Sequence, residues 1–217
     1  MSTYDELMAQ GGVALNSGKP ELALEKFSEA YLAAHYSVDG ESMARASQMC
    51  GVALRLLGRY DEAHDEFQDA IHLLEFSHNI VLSGSILRDW AMNDYDRGWT
   101  CEAIARIGEA VNLHGLSGNS NELGASIGFR ARITGWMSDY MEADELLRKG
   151  GNQVYLLNNF IWWLRNERYL TRWKMLPTAL QLAKATGMRQ RGIEALIITV
   201  LGDHIYTAIK LLRRHGK

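Results

Sequence analysis

The amino-acid sequence predicts an all-α chain, a right-handed α-solenoid of antiparallel helix pairs, on three observations. First, four alanines, Ala23, Ala63, Ala103 and Ala143, stand forty residues apart. Second, other columns keep step with them: a turn residue five before (Gly18, Gly58, Gly98, Ser138), a bulky apolar residue four after (Phe27, Phe67, Ile107, Leu147), and small residues seven after (Ala30, Ala70, Ala110, Gly150) and twelve before (Gly11, Gly51, Ala91, Ala131). Third, only two prolines, Pro20 and Pro177, occur in 217 residues, which leaves long helices unbroken. Self-similarity at a fixed period of this length signals stacked supersecondary units.

Each unit reads as two helices and a tight turn. In the second copy, Met43, Ala46, Cys50, Ala53, Leu54 and Leu57 recur at three- and four-residue spacing and predict one buried stripe over 42–57. Gly58 and Arg59 make the turn, where a left-handed backbone suits glycine. Ala63, Phe67, Ala70, Ile71 and Leu74 form the matching stripe over 60–75. Gly51 and Ala63 let the two backbones approach, and Phe67 fills the space beside them. The repeats run 4–37, 41–77, 80–115 and 119–151, followed by two degenerate units at 153–187 and 188–215, all in one domain over 1–217. Residues 203–214 read as a closing cap, preceded by the strongly apolar helix 193–201. That helix is either sandwiched or set in a homodimer interface.

This pattern resembles the tetratricopeptide repeat (TPR) family. Gly51, Leu54, Gly58, Tyr60, Ala63, Phe67 and Ala70 fall on its signature spacing, with departures at Ala14, Pro20, Asp94, Thr100, Thr134 and Ser138. The forty-residue period is similar to the variants with extended helices found in signalling and motor-associated adaptors. The resemblance implies a superhelix whose first helices line a concave peptide-binding surface, and a non-catalytic scaffold or adaptor as the function. On that register the groove positions include Arg45, Gln48 and Arg55 in the second copy, Arg88, Met92 and Tyr95 in the third, and Arg132 and Trp136 in the fourth. Arg165, Arg168 and Arg172 continue the column. Guanidinium forks hold carboxylates in two-bonded geometry, so an acidic extended segment or a C-terminal carboxylate is the expected partner. Alternatively these arginines pair with Asp89, Asp94 or Asp96. The carboxylate clamp of chaperone-binding members is not reproduced, because Met8, Gly12, Met49 and Asp89 stand at its positions.

Residues 158–175 read as one helix in which Phe160, Trp162, Trp163, Tyr169 and Trp173 interleave with Arg165, Arg168, Arg172 and Lys174. Such mixing suits an RNA-binding adaptor. Yet Phe160, Trp163, Leu164, Leu170 and Trp173 alone make a core stripe, leaving Trp162 and Tyr169 for a protein contact. The net charge of −3 also argues against a general nucleic-acid binder. It hides a gradient, from 13 acidic and 5 basic side chains in residues 1–80 to 3 acidic and 11 basic in 151–217. This is either the chance segregation of solvated faces or a dipole that steers a partner or a second copy.

No enzyme, metal or cofactor is expected. The seven histidines are scattered, and His64 and His72 sit eight apart, as surface residues of an acidic helix. Cys50 and Cys101 lie inside helical patterns, are expected to be buried and protonated, and fit a reducing cytoplasm. The glycine-rich stretch 115–124 follows no strand and reads as a turn. No stretch is long and apolar enough for a bilayer, and no secretory signal is visible, so a cytoplasmic protein is expected.

Overall fold

A computed structural model describes residues 3–202, the side chains of Tyr169 and Leu201 excepted. Among the described residues every regular element is an α-helix, and the chain divides into two compact units, Met1–Ser117 and Gly118–Lys217. Each is a run of antiparallel helix pairs, the α-solenoid architecture.

Unit 1 contains α1 (Tyr4–Asn16), α2 (Pro20–Tyr36), α3 (Gly40–Leu56), α4 (Tyr60–His72), α5 (Ile80–Arg97) and α6 (Thr100–Ser117). Two kinds of local signal set these boundaries. First helices start at side-chain caps: Thr3 forms a capping box with Glu6, Asp39 accepts from the Ser42 N–H at 3.2 Å, and Asn79 accepts from the Leu82 N–H at 3.0 Å. The hairpin turns close on glycine. Gly18, Gly58 and Gly98 take φ of 71°, 77° and 94°, and the residue after each donates its N–H five residues back: Lys19 to Ala14, Arg59 to Leu54, Trp99 to Asp94.

The packing follows the repeat columns. Ala23, Ala63 and Ala103 are fully buried, as are Ala30, Ala70 and Ala110. Gly51 abuts the Phe67 ring so closely that a Cβ would lie 2.8 Å from its Cε1. The third repeat departs in two places. His114 is fully buried where Leu74 stands one repeat earlier; its Nε2 lies 3.1 Å from the Val81 carbonyl, and Gly84 leaves it room. Asp94, also fully buried, occupies the position of Leu54 and pairs with Arg106.

Unit 2 contains α7 (Ser120–Thr134), α8 (Met137–Gly150), α9 (Gln153–Asn166), α10 (Tyr169–Ala185) and α11 (Arg189–Leu201). Asn119 and Asn152 cap α7 and α9. Asn121 ties three ends together, donating to the Gly150 carbonyl at 2.9 Å and accepting from the Asn152 N–H at 3.2 Å. Leu157, Ile161 and Leu164 pack with Leu176, Ala179 and Ala183 of α10 and with Ala195 and Ile198 of α11.

Two sequence expectations are corrected here. Ser138 is not a turn residue: the turn falls at Gly135, with φ of 76°, and α8 starts one turn early at Met137. A serine tolerates the turn column by composition, but the left-handed backbone selects the nearby glycine. Residues 158–175 are not one helix either. α9 ends at Asn166, and Glu167 is extended, with φ −87° and ψ 158°. Arg172 seals the break, donating to the carbonyls of Glu167 (2.8 Å), Arg165 (3.2 Å) and Ile198 (3.3 Å). Leu170 and Trp173 therefore leave the expected core stripe, and Leu170 is 76% exposed. The expected cap at 203–214 lies outside the described residues.

Candidate functional site

The first helices carry the residues that the repeat register assigns to a groove. In unit 1 they lie on α3 and α5, joined by two rungs. Gln48 Nε2 donates to Asp89 Oδ2 at 2.7 Å, and Arg55 Nη1 donates to Asp96 Oδ2 at 2.6 Å. Each rung joins residues forty-one apart, and the rungs are seven residues apart on each helix, two turns along one face. Gln48 is buried, whereas Arg45, one turn before it, is exposed. Arg88, Met92 and Tyr95 are half-buried on α5, and neither Arg88 nor Tyr95 is without a partner. Two of the three aspartates weighed as internal partners thus meet groove residues of α3. The third, Asp94, faces Arg106 of α6 instead.

In unit 2 the same register gathers a cation–aromatic cluster. The guanidinium carbons of Arg132 (α7) and Arg165 (α9) lie 3.9 Å and 4.2 Å from the centroid of the Trp162 ring. Such stacking is worth about 0.5–2 kcal/mol and fixes the plane of each guanidinium. Arg165 also donates to Glu194 Oε1 of α11 at 3.0 Å, and Glu194 in turn accepts from Arg191 at 2.7 Å. Trp136 is 59% exposed and is the N-cap residue of α8. Arg168 is exposed in the break between α9 and α10. Arg172, with its three carbonyl partners, holds helix ends together.

Spacing could not reveal a second cluster, on α4, α5 and α6. Trp90 Nε1 donates to His64 Nδ1 at 3.0 Å, and the Arg106 guanidinium stacks 3.9 Å from the Trp90 centroid. Arg97 stacks on Trp99 at 3.6 Å and pairs with Asp61. His64 is therefore half-buried and bonded rather than a surface residue, which corrects the sequence expectation. Burial lowers its pKa first, then the nearby charge of Arg106. Cys101 is likewise exposed rather than buried, at the start of α6. Burial, with Glu66 beside it, pushes the Cys50 thiol up to about 12, so it stays protonated and inert near neutrality.

Among the described residues, no three His, Cys, Asp or Glu side chains converge on a metal-sized site, and no helix is long and apolar enough to cross a membrane. The turn between α6 and α7 is Gly118, with φ of 68°.

Neither models of known families nor curated proteins match the chain. Solved structures do. A protein from Podosopora anserina, described as a kinesin light chain with nearly identical TPR-like repeats, is 17% identical over 90% of this chain and 94% of its own, with a TM-score of 0.53. BtubC (BKLC) from P. vanneervenii is 12% identical over 95% of this chain and 80% of its own, with a TM-score of 0.51. The chain therefore has a TPR-type repeat fold.

Proposed function

We propose that the protein is a non-catalytic scaffold that captures an acidic segment of a partner protein on the first-helix faces of its repeats. The fold class supports binding over catalysis, because stacked hairpins offer long exposed helix faces and no enclosed reaction chamber. One observation carries the acidic preference: two arginines from different helices stack on the single indole of Trp162. Stacking uses the faces of a guanidinium, while carboxylates are gripped through its in-plane N–H donors. The stacking orders both guanidinium planes before binding, which lowers the entropy that a partner must overcome, although a partner carboxylate competes with Glu194 for Arg165. Trp136 adds an exposed aromatic anchor of the kind that dominates binding hot spots.

In unit 1 the rungs make the first-helix face nearly self-neutral, so an acidic segment there competes with Asp89 and Asp96 for Gln48 and Arg55. Arg45 stands outside that competition.

Selection from a random peptide library displayed on phage tests the reading. Peptides enriched on the wild-type protein should carry Asp or Glu, and the Arg132→Glu variant should lose them by at least about tenfold, as expected for one charge-assisted bidentate contact. Enrichment of neutral or basic peptides, or equal capture by the variant, removes the acidic-segment reading.

A further inference from the structure

The second helices carry a column independent of the groove. Tyr36, Phe76 and Leu116 are forty residues apart and are 78%, 93% and 79% exposed, at or just after the C-terminal ends of α2, α4 and α6. Each ends an exposed stripe at i, i+4, i+7 and i+11: Glu25, Glu29, Leu32 and Tyr36; Asp65, Asp69, His72 and Phe76; Ala105, Glu109, Asn112 and Leu116. Unit 1 thus presents an apolar ridge across three repeats, bordered on one side by five carboxylates. Lys26 pairs with both Glu25 and Glu29, and the charge of Arg106 lies near Glu109.

Helix α10 of unit 2 is the complement of this surface. Its exposed stripe combines apolar Leu170, Trp173 and Leu180 with Lys174 and Lys184. The units as wholes are opposed in the same sense: unit 1 holds 18 acidic and 8 basic side chains, net −10, and unit 2 holds 8 acidic and 15 basic, net +7.

We propose that the second-helix face of unit 1 docks α10 of a second copy of this chain. Because the two faces differ, either two copies exchange the contact reciprocally about a two-fold axis, or successive copies add head to tail in a heterologous array. Opposite net charge accelerates the encounter and makes it sensitive to salt, while the apolar ridge supplies the area removed from water. The first-helix faces take no part, so docking does not depend on the peptide-capture reading.

Sedimentation velocity of the full chain over a concentration series, at about 50 mM and about 500 mM salt, tests the proposal. Expected is reversible association at low salt that weakens at least about tenfold at high salt. Phe76→Ser, and separately Lys174→Glu with Lys184→Glu, should each weaken it by about tenfold or more, with the helical circular dichroism unchanged because all three side chains are exposed. Mixing a Glu29→Lys/Asp69→Lys variant with the Lys174→Glu/Lys184→Glu variant should restore association that neither shows alone. A chain that stays monomeric at about 100 μM and low salt overturns the proposal. So does association that survives Phe76→Ser or the lysine reversals, or that is lost only on Ile193→Ser in α11.

Discussion

Replacing Gly11 with alanine should destabilise unit 1, whereas the same change one residue later, at Gly12, should stabilise it. Both glycines lie inside α1, where exchange for alanine gains about 1 kcal/mol of helix propensity. At Gly12 a Cβ meets nothing within 4 Å, so the gain stands. At Gly11 it would lie 2.6 Å from Phe27 Cδ1 and closer still to Cε1. Ordinary carbon contacts are about 3.5–4.0 Å, so the ring must retreat by about 1 Å. Phe27 is 1% exposed and packed among Ala14, Ala23, Cys50 and Ala53, which leaves it nowhere to go. Overpacking of this kind costs about 1–3 kcal/mol, with this site near the upper end, for a net loss of about 1–2 kcal/mol. The two variants should differ by about 2–3 kcal/mol, or roughly 1 M in the urea midpoint. Adding Phe27→Leu to Gly11→Ala should recover most of the loss, because it recreates the Ala131 and Leu147 pair of the fourth repeat. If Gly11→Ala raises the midpoint as Gly12→Ala does, the close approach of α1 and α2 through that glycine is not what sets their packing.

Two further outcomes follow from polar groups in unit 1. Arg106→Met leaves the fully buried Asp94 without its cation and should cost about 3–5 kcal/mol in chemical denaturation; the Asp94→Leu/Arg106→Met double variant should return close to wild type, since Leu54 fills the equivalent position one repeat earlier. A loss below about 1 kcal/mol for the single variant would contradict the pairing. His64 should make stability fall with acidification. The unfolded chain takes up its proton near pH 6.5, and the folded chain, with a lowered pKa, only at lower pH. The contribution is therefore complete above about pH 6.5 and is lost as pH falls toward the native value. Comparing unfolding free energies at about pH 7.5 and about pH 5.5, His64→Gln should show a smaller decline than wild type, and equal declines would remove His64 as the cause.

The fold was legible in the sequence wherever a contact repeats. Ala23, Ala63, Ala103 and Ala143 are all fully buried, and the glycine turns at Gly18, Gly58 and Gly98 take the left-handed backbone that their column implies. Legibility fails where one repeat makes a contact of its own. The break at Glu167 contains neither glycine nor proline; it is held by Arg172 reaching carbonyls on two helices, which no periodicity encodes. Trp90 and His64 are twenty-six residues apart in different helices, so their bond lies outside any forty-residue comparison. Helix caps were a missed signal of the opposite kind. Asp39, Asn79 and Asn119 form a column as regular as the alanines. At the candidate site, the register indicates which helix face each arginine shares but not its partner. Asp96 holds Arg55 and Trp162 holds Arg132 because neighbouring first helices bring them together.

Those caps and left-handed glycines bear on how the chain is made. The caps of α1, α3 and α5 and the glycine turns of unit 1 each act within a few residues of themselves, and each hairpin of the unit packs on the one before it, so contacts stay short in sequence and rapid folding is favoured. A ribosome adding about 5–20 residues per second releases one forty-residue hairpin every few seconds, far longer than helices need to form. Within unit 1 each new hairpin therefore meets a finished neighbour, and its three hairpins can be laid down in the order of their synthesis.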